Sequence, residues 1–254
     1  MPKFFVGNKQ IINEVITIVG EDVNHIVNVL RLQKSDQIFV CDKEKEITYQ
    51  TEIVEIGKQE VVCHIIKEVK KKIESSADVT IFQGLPKSDK MEYIIQKATE
   101  IGAKEIVPVA MKRCIAKIDG KDEAKKIERW KKIAEMAAKQ SGRDMIPKIG
   151  NVMKFNFMKK VVEEFDLFLV AYEEEERLTL KQVLQDSSNM FHPIEESRKM
   201  KIGVLIGPEG GIDGNEIEEL KNCDVKIITL GNRILRTETA SLVILSNIMY
   251  ELDG

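Results

Sequence analysis

The sequence predicts a small β-barrel followed by an α/β domain built on a mostly parallel sheet. Residues 1–72 consist largely of short alternating and β-branched stretches with room for one helix, a pattern typical of small barrels. From Ala77 onward, short buried-type strands alternate with amphipathic helices, which favours a parallel sheet covered on both faces. The charged residues 67–76 separate the two patterns, so we divide the chain into domains 1–72 and 73–254.

The elements of the first domain follow from hydrophobic periodicity. Alternating and β-branched runs predict strands over residues 14–19, 37–41, 47–56 and 61–69. Residues 22–32 are predicted to form the single helix, because apolar side chains recur there at helical spacing: Val23, Ile26, Val27 and Leu30.

The second domain contains five strand-like runs, at residues 79–85, 106–110, 167–172, 203–206 and 225–230. Apolar spacing predicts helices over residues 90–102, 122–140 and 238–252. Asp213 and Glu216 form a capping box that begins a further helix, expected to end near residue 222. Residues 173–176 and 186–200 are expected to be solvent-facing loops or a helix with ragged ends.

The composition is that of a soluble globular protein, with 43% hydrophobic and 32% charged residues among 254. No run approaches the roughly eighteen apolar residues that span a bilayer, and the N-terminus lacks a signal-peptide pattern. We therefore expect a cytoplasmic protein with no membrane partner. The cysteines, Cys41, Cys63, Cys114 and Cys223, lack metal-ligand spacing, so we expect reduced thiols and no metal.

The charge distribution leaves two interpretations open. The net charge of −3 does not indicate a nucleic-acid binder, but residues 73–150 hold 16 basic and 12 acidic side chains. This local surplus predicts either a basic face that binds phosphate or scattered solvated lysines.

Two polar, glycine-containing segments follow predicted strands near the C-terminus. Residues 207–211 read Gly-Pro-Glu-Gly-Gly, and residues 230–240 contain a glycine, two arginines, a glutamate and two threonines. Loops after neighbouring strands are where α/β proteins usually bind ligands. The glycines permit close backbone approach, and Glu209 projects from a turn that Pro208 stiffens. By itself, the first segment fits an ordinary strand-to-helix connection as well as a ligand site.

Several common sites are missing from the sequence. There is no phosphate-binding P-loop, no glycine-rich dinucleotide turn and no nucleophile elbow. Nucleoside triphosphatases, nicotinamide-dependent dehydrogenases and α/β-hydrolases are therefore disfavoured.

The two C-terminal segments resemble the signature loops of the ribosomal RNA small subunit methyltransferase E family, in the SPOUT class of S-adenosylmethionine-dependent RNA methyltransferases. Weaker similarity extends over residues 24–32, 87–92, 96–100, 129–130 and 138–143, so the resemblance covers nearly the whole chain. Three positions depart from the family pattern. Lys3 stands where arginine is usual, and Ser35 and Ser88 replace customary glycines.

The resemblance implies a PUA-like, RNA-binding barrel and a SPOUT catalytic domain with a C-terminal trefoil knot. It also implies a homodimer that binds S-adenosylmethionine and forms N3-methyluridine in 16S ribosomal RNA, free or in the assembled small subunit. The implied cofactor-binding residues lie in the two segments or directly before the first: Leu205, Ile206, Gly207, Pro208, Glu209, Gly210, Leu230, Gly231, Ile234, Leu235, Arg236, Thr237 and Ala240.

The chemistry of uridine indicates which side chains such a site needs. The N3 atom carries a proton, so the site needs a base or a cation that stabilises the uracil anion. Arg236 is the predicted cation, and Glu209 and Glu238 are unranked candidates for base or orienting carboxylate. Thr237 and Thr239 are expected to cap the last helix. The predicted RNA-phosphate contacts are Lys3, Arg31, Lys87, Lys90, Arg113 and Arg143.

Two other functions remain compatible with the sequence. One is a ribosome-associated RNA-binding protein without catalytic activity. The other is a SPOUT methyltransferase acting on another RNA, such as transfer RNA. Cofactor binding and the identity of the methylated RNA distinguish these three hypotheses.

Overall fold

The structure is a computed structural model that describes residues 1–70, 73–116, 118, 120–186 and 198–253. The chain divides into two compact units. The first comprises Met1–Glu74 with Ala138–Ile146, and the second comprises Ser75–Ala137 with Pro147–Gly254.

The first unit is a six-stranded sheet in the order β1-β4-β5-β6-β3-β2. Its strands are β1 (Lys3–Val6), β2 (Ile11–Ile12), β3 (Val15–Val19), β4 (Gln37–Asp42), β5 (Ile47–Ile56) and β6 (Glu60–Glu68). Only β1 and β4 pair in parallel; the other neighbours are antiparallel. Phe4 of β1 and Ile18 of β3 pack in one buried cluster although their strands lie towards opposite edges of the sheet. The sheet therefore curls around a single core, as the barrel prediction requires.

Local details of the first unit differ from the prediction. Strands β1 and β2 were not predicted, because each is too short to show clear alternation. The predicted helix 22–32 is shorter: α1 (Glu21–Asn24) is followed by a π-helical segment (His25–Val29). A 3-10 turn (Asn8–Gln10) lies between β1 and β2.

The end of one long helix belongs to the first unit. Helix α3 (Gly120–Ser141) runs across the division between the units, and its last residues pack with the barrel strands. Ala138 is buried together with Phe5 and Cys41. The sequence does not indicate this arrangement, because residues 138–146 look like an ordinary helix end and polar loop.

The second unit is built on seven strands, and every pairing is parallel. They are β7 (Ala77–Gly84), β8 (Glu105–Ala110), β9 (Lys148–Ile149), β10 (Met153–Lys154), β11 (Leu167–Ala171), β12 (Met200–Ile206) and β13 (Lys226–Ile228). Their order is β10-β8-β7-β12-β11-β13, with β9 also paired to β8. The predicted parallel sheet is therefore confirmed.

Within the described residues, five helices connect these strands, α2 (Lys90–Ile101), α3, α4 (Met158–Val162), α5 (Leu180–Asp186) and α6 (Gly214–Lys221), with a 3-10 turn (Phe155–Phe157) before α4. Helix α7 (Thr237–Asp253) follows the last strand. The capping box of α6 is confirmed, since Asp213 accepts from the Asn215 backbone N–H and Glu216 accepts from the Asp213 N–H. Helix α5, β9, β10 and α4 were not predicted. The prediction for residues 186–200 lies mostly outside the described residues, although Met200 already begins β12.

The core of the second unit lies between the sheet and its helices. Phe82, Phe165 and Phe168 contact one another, with ring centroids 5.4–5.6 Å apart. A side chain at Gly203 would lie 2.4 Å from the Phe168 ring, so the ring packs directly on the backbone of β12. Within the described residues, no helix is long and apolar enough to cross a membrane.

Candidate cofactor site

Four neighbouring strands of the parallel sheet end side by side, along the edge of the sheet that is formed by their carboxyl ends. Strand β12 pairs with β7 and β11, and β11 also pairs with β13. Because all four strands are parallel, the loops that follow them leave from the same edge. The two segments singled out in the sequence therefore lie at one edge of the sheet: loop A (residues 207–211) follows β12, and loop B (residues 230–236) follows β13.

Loop A is packed closely against the end of β7. A Cβ atom on Gly84 would lie 2.6 Å from the backbone nitrogen of Pro208 and 2.9 Å from the carbonyl carbon of Gly207. Gly211, at φ +72°, closes a turn by donating its N–H to the Pro208 carbonyl at 2.9 Å. Only glycine allows the strand and the loop to approach this closely.

A buried hydrogen-bond network joins β7, loop A and α7. The Gln83 amide nitrogen donates to Thr237 Oγ1 at 2.8 Å, and that hydroxyl donates to the Gly207 carbonyl at 2.6 Å. The Gln83 amide oxygen accepts from Ser241 Oγ at 2.5 Å. Removing one member would leave a buried partner unpaired, which costs about 1–3 kcal/mol. The network thus holds both loops in fixed relative positions.

The network corrects one prediction about the last helix. Thr237 does not cap α7; its hydroxyl is used by Gln83 and Gly207 instead. Arg236 precedes the helix, and its carbonyl accepts from the N–H groups of Thr239 and Ala240 at 2.8 Å each.

A cluster of three charged side chains links the same elements. The Lys90 ammonium, on the first residue of α2, lies 3.0 Å from Glu209 Oε1 and 3.3 Å from Glu238 Oε2. The Lys87 backbone N–H also donates to the Glu209 carboxylate, at 3.0 and 3.3 Å. Glu238 Oε2 is buried and makes no hydrogen bond, although it is within ion-pair distance of Lys90.

These contacts shift two pKa values in opposite directions. Burial opposes ionisation of Glu209, but hydrogen bonds from Lys90, from its own backbone and from Lys87 outweigh it, so the Glu209 pKa lies below its ordinary 4.5. The hydrogen bond to Glu209 raises the pKa of Lys90 above its ordinary 10.5, against the effect of burial. Both groups therefore stay charged at neutral pH.

Loop B is open by comparison. The Ile234 side chain is 89% exposed, and Arg233 and Arg236 are also exposed. Among the described residues, the backbone N–H groups of residues 232–236 have no hydrogen-bond acceptor in the protein. An apolar side chain beside unpaired backbone donors is what a ligand with both apolar and polar parts requires.

The structure separates the six predicted RNA contacts into two groups. Lys87, Arg113 and Arg31 have exposed side chains; Arg113 also donates to the Gly210 carbonyl at 3.2 Å and lies 3.5 Å from the Asp213 carboxylate. The other three are paired inside the protein.

Lys3 and Arg143 are 6% and 4% exposed. Lys3 lies 2.6 Å from Asp144, and Arg143 pairs with Glu74. Both positive charges are already neutralised in the interior of the first unit, and Lys90 is held by two carboxylates. We therefore do not retain these three lysine and arginine side chains as RNA contacts.

Three residues beside loops A and B were not predicted from the sequence. Gln83 and Ser241 look like ordinary strand and helix residues, so no local signal distinguishes them. Glu173 follows β11, and its carboxylate occupies the space where a Gly211 side chain would lie. Its position directly after a predicted strand was a usable signal, because β11 ends at the same edge as the two loops.

Comparisons with known proteins identify the class of protein. A family profile described as an RNA methyltransferase domain matches residues 72–249, and one described as an RNA methyltransferase PUA domain matches residues 18–66. These matches show that the chain is an RNA methyltransferase with an accessory PUA domain.

Individual relatives specify the family. The chain is 40% identical to the ribosomal RNA small subunit methyltransferase E of Bacillus subtilis (strain 168), covering 100% of this chain and 98% of that protein. It is 31% identical to the protein of the same name from Mesomycoplasma hyopneumoniae (strain 232), covering 97% and 98%. The chain belongs to the ribosomal RNA small subunit methyltransferase E family.

A solved structure extends the similarity to the whole fold. The crystal structure of a ribosomal RNA small subunit methyltransferase E from Neisseria gonorrhoeae, bound to S-adenosyl methionine, matches with a TM-score of 0.82 at 25% identity. The match covers 98% of this chain and 97% of that one.

Proposed function

We propose that the protein is an S-adenosylmethionine-dependent methyltransferase that methylates N3 of a uridine in small-subunit ribosomal RNA. The single observation that carries the proposal is the pair of loops A and B, joined by the Gln83–Thr237–Gly207 network at the edge of the parallel sheet. The names of the relatives and the ligand of the Neisseria structure support it. A substrate of this kind implies a cytoplasmic protein.

The residues of the two loops fit the proposed cofactor. Loop A offers an exposed backbone without a side chain at Gly210, and loop B offers unpaired N–H groups beside Leu235 and Ile234. Backbone donors would hold the polar groups of S-adenosylmethionine, and the apolar side chains would contact its adenine. When bound, the cofactor supplies a methyl group on a sulfonium, and the protein must position the uridine to receive it.

The charged residues have distinct roles in the proposed reaction. Arg236 stabilises the uracil anion through its carbonyl oxygens, because the exposed guanidinium extends from a fixed backbone position at the end of loop B. Glu209 is a weak base, since its pKa is lowered, and orients neighbouring groups instead. Glu238 remains a candidate for either role.

RNA recognition is proposed to use exposed cations. Uridine N3 lies on the pairing face of the base, so the target must be single-stranded or flipped out. Arg31 in the first unit, and Lys87 and Arg113 in the second, are the retained phosphate contacts. Residues 1–72, which make up most of the first unit, are the proposed RNA-binding domain, and residues 73–254 form the proposed catalytic domain.

Two further features of the family are proposed for this chain, a trefoil knot and a homodimer. The knot is supported by the path of the C-terminal segment. Strand β13 is the outermost strand on its side of the sheet, yet Thr237 at the start of α7 hydrogen-bonds to Gln83 on the central strand β7. The dimer is supported by two large exposed apolar side chains, Ile234 in loop B and Tyr250 in the last turn of α7.

Mass spectrometry of ribosomal RNA from a deletion strain tests the substrate. We expect one N3-methyluridine to disappear from the small-subunit RNA and to return when the purified protein and S-adenosylmethionine are added. Unchanged ribosomal RNA with a modification lost from transfer RNA would favour another SPOUT activity. Titration calorimetry that detects no S-adenosylmethionine binding would favour a non-catalytic RNA-binding protein.

Gly210→Val is expected to weaken S-adenosylmethionine binding about tenfold or more while leaving the fold intact. A Cβ atom at this position would lie 3.1 Å from Arg113 Cβ and 3.2 Å from its carbonyl oxygen, so the larger valine must displace loop A. Gly214→Val is the matched control, because nothing lies within 4 Å of its Cβ position. Titration calorimetry measures both; equal affinities for the two variants would remove Gly210 from the site.

A further inference from the structure

The cluster of Lys90, Glu209 and Glu238 joins three separate parts of the chain. Lys90 begins α2, Glu209 lies in loop A, and Glu238 lies in the first turn of α7, directly after loop B. Both carboxylates are largely shielded from water, at 25% and 17% side-chain exposure. One ammonium therefore contacts an acidic side chain from each side of the proposed cofactor site.

Electrostatics makes this ammonium necessary for the arrangement. Each carboxylate lies within 3.3 Å of the same nitrogen atom, so the two negative charges are close to each other. Like charges at such a separation repel strongly where water is partly excluded. The Lys87 backbone N–H donates to Glu209 and compensates part of its charge, whereas Glu238 Oε2 is buried and has the Lys90 ammonium as its ion-pair partner. Without Lys90, Glu238 would move away from Glu209, and α7 would lose the connection to loop A that the Lys90 ammonium makes.

We infer that Lys90 is a positioning residue that holds loops A and B in the arrangement that binds the cofactor, and that it does not contact RNA. The inference rests on the proposed function, because it assumes that S-adenosylmethionine binds between the two loops. Lys90 acts through the two carboxylates, and its ammonium lies within ion-pair distance of both.

Lys90→Met tests the inference, because methionine keeps most of the aliphatic chain and removes the charge. We expect S-adenosylmethionine affinity, measured by titration calorimetry on the full-length protein, to fall about tenfold or more. Lys97→Met is the matched control on the same helix, since Lys97 forms an ion pair with Glu100 one turn away. Its affinity should equal that of the unchanged protein.

Two rescue variants separate positioning from general destabilisation. Lys90→Arg keeps the positive charge and should bind within about threefold of the unchanged protein. The double variant Lys90→Met with Glu238→Gln removes the repulsion together with the ammonium, and it should bind more tightly than Lys90→Met alone. Thermal melting followed by circular dichroism confirms that each variant is folded.

Three results would overturn the inference. Unchanged cofactor affinity in Lys90→Met, with a raised KM for RNA, would show that Lys90 contacts RNA directly. Failure of both Lys90→Arg and the double variant to recover affinity would show that the charge arrangement is not what matters. No cofactor binding by the unchanged protein would overturn the proposed function itself, which separates the two failures.

Discussion

Gly84→Ala is expected to abolish S-adenosylmethionine binding and to lower the melting temperature. The added Cβ would lie 2.6 Å from the Pro208 nitrogen and 2.7 Å from its Cδ, and neither backbone nor proline ring can rotate away. Strand β7 cannot move either, because it is paired on both sides, with β8 and β12. Overpacking of this kind costs about 1–3 kcal/mol, and relief is possible only by displacing loop A.

Calorimetry and thermal melting of Gly84→Ala check this prediction. Gly214→Ala serves as the control, because its Cβ position is open and alanine is the better helix former. The control should melt at the same temperature as the unchanged protein or slightly above it. If Gly84→Ala bound the cofactor normally, the close contact between β7 and loop A would have no functional importance.

Arg236→Ala is expected to reduce methyl transfer about a hundredfold or more while the protein remains folded. The backbone at this position is held by hydrogen bonds to the Arg236 carbonyl, which alanine preserves. The guanidinium itself contributes little to stability: it is exposed, and within the described residues it forms no ion pair. A positive charge beside a helix N-terminus is unfavourable, so the melting temperature should stay constant or rise.

Single-turnover assays with small-subunit RNA and excess cofactor measure this loss directly. Arg129→Ala is a suitable control, because Arg129 forms an exposed ion pair with Glu92 on the helices of the same unit and such pairs contribute little. Full activity in Arg236→Ala would exclude the arginine from the reaction and leave the stabilising cation unidentified.

The fold was largely predictable where it depends on residues close together in the chain. Strands β7, β8 and β12 and helices α2 and α7 were predicted with end errors of a few residues, because burial imposes a period on neighbouring positions. The capping box of α6 was predicted because its two residues are three apart and need no distant partner. Short elements such as β2 and β9 were missed, since two residues cannot show a period.

The candidate site was predictable in position but not in its internal contacts. Loops A and B stood out because glycine and charge followed two apolar runs, and parallel strands carry such loops to one edge. The roles of individual lysines and arginines were less accessible. Lys3 and Arg143 look like surface cations in the sequence, and the structure pairs both in the interior of the first unit.

The sequence by itself determined the two patterns of elements, the parallel sheet and the two loops, because each depends on residues close together in the chain. The tertiary structure alone decided which groups are partners. Gln83 and Ser241 are 158 positions apart, and Lys87 and Glu209 are 122 apart. Hydrogen bonds and ion pairs depend on distance in space, and burial depends on the whole surrounding shell. No local sequence pattern indicates distance in space or burial. The hydrogen-bond network behind loops A and B and the charge cluster at Lys90 are therefore visible only in the folded chain.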